Sequence, residues 1–202
     1  MANTFSPDPA RVFAFLRQWP IYQPTPVREF KTADGTLFIK DETARMGLGA
    51  FKALGGPFAV SQLLADRWSE VMKSPLPADE ELRAFAKDVT FVCASAGNHG
   101  MAVAAGARHA GAKARIHLAA TVQQVFADRL EAHGATVVRS GDTYEESVAA
   151  ATRAASAMRT LWCCSYFSLR PRRIEIVSST VGSPTNTGWK RRWSAGSFST
   201  YF

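Results

Sequence analysis

The stretch DVTFVCASAGNHG, Asp88–Gly100, runs from a β-rich apolar segment into a small-residue turn and then into a helix-forming one. Asp88–Ala94 has the length and the β-branched and aromatic content of a strand, and the pattern after the turn predicts a helix over about 98–110. The alternation continues downstream, with a strand at Ala114–Ala119, a helix over about 122–133, a strand at Thr136–Ser140 and a helix over about 144–158. Upstream, GTLFIKDE (Gly35–Glu42) reads as a strand and the segment from Phe51 to about Met72 as a helix. Gly111 and Gly134 stand where helix C-caps are predicted, and Asp142 or Thr143 where the next helix needs an N-cap. Short strands alternating with helices predict βαβ units, hence an α/β fold with a parallel sheet and helices on its faces.

The whole chain sets bounds on this reading. At 202 residues it has room for one well-cored domain, with or without an appendage. An apolar share of 47% and a charged share of 20% fit a soluble globular chain. No apolar run reaches the roughly 20 residues of a membrane span. VFAFL near the N-terminus, flanked by Arg11 and Arg17, is too short for a signal peptide, so the cytoplasm is the expected compartment. Cys93 stands alone and Cys163 adjoins Cys164, which suits neither a disulfide framework nor a spaced metal site.

The net charge of +7 raises the question of nucleic acid, and its distribution answers it. From Thr160 onward, six basic residues stand against the single acid Glu175, so +5 of the +7 lies there. The same segment holds three of the five tryptophans and eight serines with one alanine, and beyond the short RIEIV run it keeps no period of 2 or 3.6. We therefore divide the chain into a domain at 1–159 and a divergent, poorly ordered basic tail at 160–202, foreign to the domain or translated out of frame. A competing reading makes the tail an aromatic and arginine-rich RNA-binding segment.

Two stretches carry chemistry. In GLGAFKALGG (Gly47–Gly56), Lys52 sits among small and apolar residues, where burial penalises an ammonium and favours the neutral, nucleophilic amine that Schiff-base formation needs. Alternatively its stem packs along the helix while the ammonium reaches water. In CASAGNHG (Cys93–Gly100), a strand-turn-helix junction brings backbone N–H groups and a positive helix end towards a carboxylate or phosphate, with Ser95 and Asn98 as added donors. The plainer reading there is a tight connection with Asn98 as N-cap. Neither GxGxxG nor GxxxxGK[ST] occurs in these stretches, which argues against dinucleotide and nucleoside-triphosphate binding.

KDETARMGLGAFKALGGPFAV (Lys40–Val60) resembles the segment around the Schiff-base lysine of fold-type II pyridoxal-phosphate enzymes, especially the diaminopropionate ammonia-lyase branch. SAGNHG (Ser95–Gly100) resembles the asparagine loop of that superfamily, and Thr121–Ala151 resembles its next helix–strand–helix unit. The resemblance implies the three-layer fold of tryptophan synthase β, here incomplete, with pyridoxal 5′-phosphate as cofactor. It implies that Lys52 holds the cofactor and acts as base at the substrate Cα, and that Asn98 bonds the ring oxygen. Phe51 would pack beside the ring, and the Ser95–Ala96–Gly97 turn would bind the substrate carboxylate. The implied reaction is β-elimination of a small amino acid to a 2-oxo acid and ammonia, by a family whose full-length members are homodimers.

Two departures accompany the resemblance. Diaminopropionate ammonia-lyases carry an acidic residue before GNHG, where this chain has Ala96, as dehydratases of serine and threonine do. The family's glycine-rich phosphate loop and its partner for the pyridine nitrogen have no counterpart in the chain, so a truncated and inactive enzyme, with apolar faces left exposed, is a further expectation. Asp41, Glu42 and Arg45 read as a polar shell leading into the lysine segment, His99 as a packing residue of its loop, and Cys93 as a buried strand residue. His109, His117 and His133 show no ligand spacing, so no metal site is expected.

Overall fold

The computed structural model describes residues 9–157 and 161–162. They fall within one compact unit, Met1–Cys164. Its centre is a four-stranded, wholly parallel sheet made of β3 (Thr90–Ala94), β4 (Lys113–Leu118), β5 (Ala135–Arg139) and β6 (Leu161–Trp162). The spatial order is β5-β4-β3-β6. The chain therefore steps outward from β3 to β5 and then returns to the other side of β3. Such a reversal opens a crevice at the carboxyl ends of the two strands flanking it, here β3 and β6.

Three helices connect these strands: α4 (Asn98–Ala110), α5 (Gln124–Ala132) and α6 (Tyr144–Ala157). Strand alternation assigns them to layers. Phe91 and Cys93 of β3, with Ile116 and Leu118 of β4, enter a core shared with α4 and α5. Val92 and Ala94, the alternate residues of β3, meet Val148, Ala151 and Ala154 of α6. Helices thus cover both faces, as the sequence predicts. From β3 to α6 the predicted ends lie within two residues of the observed ones, while the sequence predicts no strand at β6.

The local signals act through identifiable groups. Gly111 ends α4 in the left-handed conformation (φ 81°), and Gly134 (φ 88°) follows α5 in the same way. Thr143, rather than Asp142, caps α6: its hydroxyl accepts from the Glu146 N–H at 3.2 Å, while Glu146 Oε2 accepts from the N–H groups of Asp142 and Thr143. This reciprocal pair is a capping box.

A long helix, α2 (Lys52–Met72), packs across α4. Before it come α1 (Pro9–Leu16) and the antiparallel hairpin of β1 (Val27–Thr32) and β2 (Gly35–Lys40). After it comes α3 (Asp79–Ala86). Sequence periodicity misses α1, β1 and α3. With eight residues each, α1 and α3 span about two turns, too few for a helical period to stand out, and in β1 the charged Arg28, Glu29 and Lys31 break up the apolar run. The predicted strand at Gly35–Glu42 ends at Lys40, and it belongs to the hairpin rather than to the parallel sheet.

The hairpin exposes Val27, Phe30, Leu37, Phe38 and Ile39. Its register sets Phe30 opposite Leu37 and Arg28 opposite Ile39, so Phe30, Leu37 and Ile39 share one face. β6 lies just past the compositional boundary at Arg159, and the remainder of the expected tail lies outside the described residues. No described helix is long and apolar enough to cross a membrane.

Candidate active site

Lys52 is the first residue of α2, with Phe51 as its N-cap, so the helix starts within one residue of the predicted Phe51 and the lysine stands at its N-terminus. The approach to it is fixed by Arg45, whose side chain is only 4% exposed. Arg45 Nε donates to Glu42 Oε2 at 2.5 Å, Nη1 donates to the Gln23 carbonyl at 2.9 Å, and Nη2 donates to Thr25 Oγ1 at 2.5 Å. Thr25 Oγ1 in turn donates to Glu42 Oε1 at 2.8 Å. With its donors engaged inside this network, Arg45 holds the segment before Lys52. The Arg45 guanidinium lowers the Glu42 pKa, and Glu42 raises that of Arg45. Asp41 is lowered to about 2 by hydrogen bonds from Thr43 and Arg28. The polar shell read from the sequence is thus two ion pairs with half-buried carboxylates, Asp41 held by the exposed Arg28 and Glu42 by the buried Arg45.

Lys52 is half-buried, and its Nζ lies 5.2 Å from the centroid of the Phe51 ring, which is 59% exposed. An amine beside an open aromatic face offers a nucleophile and a stacking surface at one place.

The second stretch lies at the carboxyl end of β3, on the crevice of the sheet. Gly97, rather than Asn98, is the N-cap of α4. The capping acceptor is Ser95 Oγ, which receives the N–H of Gly100 at 3.1 Å and that of Gly97 at 3.4 Å. Asn98, exposed, occupies the first helical position, where its amide has no intrahelical acceptor. The turn is tight: a Cβ on Gly100 would lie 2.5 Å from the Ser95 carbonyl oxygen, so a side chain there would force helix and turn apart.

Packing brings the two stretches together. A Cβ on Gly56 would lie 2.6 Å from Ala102 Cβ, and one on Gly106 would lie 2.8 Å from Pro57 Cα. Positions rise together along both helices, so α2 and α4 run in the same direction. Lys52 stands four residues before Gly56, and Asn98 four before Ala102. Each is about one turn from the contact. The two positive helix ends and the Lys52 amine therefore gather at one end of the pair, an arrangement that attracts anions.

Among the described residues, no group of three His, Cys, Asp or Glu side chains is placed to share a metal ion. His109 stacks on Trp19 with centroids 3.7 Å apart, and its pKa is lowered by burial and by Arg83. Burial and nearby arginines likewise lower His117 and His133. Sequence reasoning missed the part of Thr25 in the Arg45 network and the dependence of the site on Gly56 and Gly106. The glycines were visible, but nothing local showed that they face each other's helix.

The chain matches the family described as "Pyridoxal-phosphate dependent enzyme" over residues 19–183. It is 35% identical to the diaminopropionate ammonia-lyase of Salmonella typhimurium over 152 residues, which cover 71% of this chain and 38% of that protein. It is 32% identical to an L-serine dehydratase/L-threonine deaminase of Bos taurus, over 64% of this chain and 34% of that one. The crystal structure of Escherichia coli diaminopropionate ammonia-lyase in apo form superposes with a TM-score of 0.67 at 26% identity, over 79% of this chain and 45% of that one. The chain thus spans less than half the length of these relatives. Family match and fold agree: the chain belongs to the pyridoxal-phosphate dependent enzymes.

Proposed function

We propose that this chain carries the lysine side of a pyridoxal-phosphate site for β-elimination from a small amino acid, of the kind its ammonia-lyase relatives are named for. The observation that carries the reading is the co-directional packing of α2 on α4, which gathers Lys52, Asn98 and two helix N-termini at one end. The donor set suits the cofactor: an amine for its aldehyde, the exposed Phe51 ring for its ring, and the Asn98 carboxamide for its ring oxygen. When bound, pyridoxal phosphate supplies an electron-accepting ring that stabilises negative charge at the substrate Cα.

The chain's own residues then act as follows. The Ser95–Ala96–Gly97 turn and the Asn98 amide hold the substrate carboxylate. The long Gly97-to-Ser95 bond yields readily to a charged acceptor. The Lys52 amine takes the proton from Cα, and the leaving group departs from Cβ. For 2,3-diaminopropionate and water the balance is pyruvate and two ammonia molecules. Because position 96 carries no carboxylate, a second reading takes serine or threonine as substrate, which the match to a dehydratase supports.

Titration with pyridoxal phosphate, followed by borohydride reduction and peptide mapping, tests the site. A saturable visible band with the label on Lys52 is expected. No band, or label scattered over surface lysines, would overturn the reading. Release of 2-oxo acid from diaminopropionate, serine and threonine separates the two substrate readings.

A further inference from the structure

Beside the Ser95–Gly97 turn lies a small, partly open and mainly apolar cavity, where Leu118, Ala119 and Val122 join Ser95, His117 and Ser147 in the lining. His117 is 5% exposed. Its neighbours Ile116 and Leu118 face the core shared with α4 and α5, so alternation turns His117 to the α6 face. Its Nδ1 lies 2.9 Å from Ser140 Oγ, just beyond the end of β5. β4 stands between β5 and β3 in the sheet. With Nδ1 committed to the β5 side, the geometry of the ring directs Nε2 towards β3 and the cavity. Nε2 is buried and has no hydrogen-bond partner.

Two serine hydroxyls stand at the edge of this mainly apolar lining. Ser95 Oγ already accepts two N–H groups, so its hydrogen is left to donate, and among the described residues it meets no acceptor. Ser147 Oγ donates to the Thr143 and Tyr144 carbonyls and retains lone pairs.

We propose that a water-sized polar molecule in this cavity links His117 Nε2 to the Ser95 hydroxyl, which makes His117 a positioning residue for the Ser95–Gly97 turn. The role assigned to the turn rests on the proposed elimination site. Burial favours the neutral imidazole. The tautomer that donates from Nδ1 to Ser140 leaves Nε2 as an acceptor, so the bridging molecule donates to His117 and accepts from Ser95. Two to four polar partners are what hold a buried water in place. The link orients the Ser95 hydroxyl, and through its other bonds the amides of Gly97 and Gly100, from the side of the sheet opposite Lys52.

The test is NMR of the full chain carrying ¹⁵N-labelled histidine, without cofactor or amino acid. The expected result is an Nδ1-protonated His117 whose Nε2 resonance is that of a hydrogen-bonded acceptor and moves in Ser95→Ala while Nδ1 changes less. His117→Leu should speed amide exchange at Gly97 and Gly100 by about tenfold over His117→Gln, which retains a polar group at the cavity. An Nε2 resonance indifferent to Ser95→Ala, or equal exchange in the two His117 variants, overturns the proposal. Should His117→Leu fail to fold, the Ser95→Ala shift decides alone. Failure here leaves cofactor labelling of Lys52 untouched, and failure of that labelling leaves the His117 link standing.

Discussion

Gly56 of α2 and Ala102 of α4 meet so closely that a β-carbon on the glycine would stand 2.6 Å from that of the alanine. This contact sets the separation of the two helices, and through it the distance between the Lys52 amine and the Ser95–Asn98 turn.

Gly56→Val should destabilise the chain by about 1–3 kcal/mol, the usual cost of overpacking, and should weaken cofactor binding by spreading the helix ends. Gly55→Ala is the control. Gly55 is exposed, and a β-carbon there meets nothing within 4 Å, so helix propensity predicts a gain of about 0.5–1 kcal/mol. Urea denaturation of both variants measures the contrast.

Breaking the Arg45 network by Arg45→Met leaves Glu42 without its cation and should cost about 3 kcal/mol. The Glu42 pKa is lowered in the folded state, so its contribution is complete above the unfolded carboxylate range and is lost as pH falls through the folded value. Glu42→Gln should therefore cost more at pH 7 than at pH 3, measured by denaturant midpoints at the two pH values.

For the cofactor, Lys52→Ala should abolish the visible band and the borohydride label together. Asn98→Ala should retain the label and weaken pyridoxal phosphate binding by about tenfold, the effect of one lost hydrogen bond. Loss of the label in Asn98→Ala would give that side chain a larger part than a ring-oxygen contact.

The apolar hairpin face of Phe30, Leu37 and Ile39 should drive concentration-dependent association. Static light scattering of the chain and of a Phe30→Lys, Leu37→Lys double variant checks this. The variant should remain monodisperse at concentrations where the parent does not, and equal behaviour would place the association elsewhere.

The sequence by itself determined the α/β pattern from Thr90 to Ala157, since strand and helix periods, glycine C-caps and the Thr143–Glu146 box are local properties of neighbouring residues. It also singled out the candidate site residues, because Lys52 and SAGNHG stand out by type and spacing. Only the tertiary structure decided that α2 runs alongside α4 in the same direction, that Ser95 rather than Asn98 supplies the helix cap, and that His117 keeps a buried nitrogen without a hydrogen-bond partner. The helix pairing and the His117 environment depend on contacts between segments 20 to 50 residues apart, which no local period records, whereas the Ser95 cap spans only five residues and turns on the conformation of the turn.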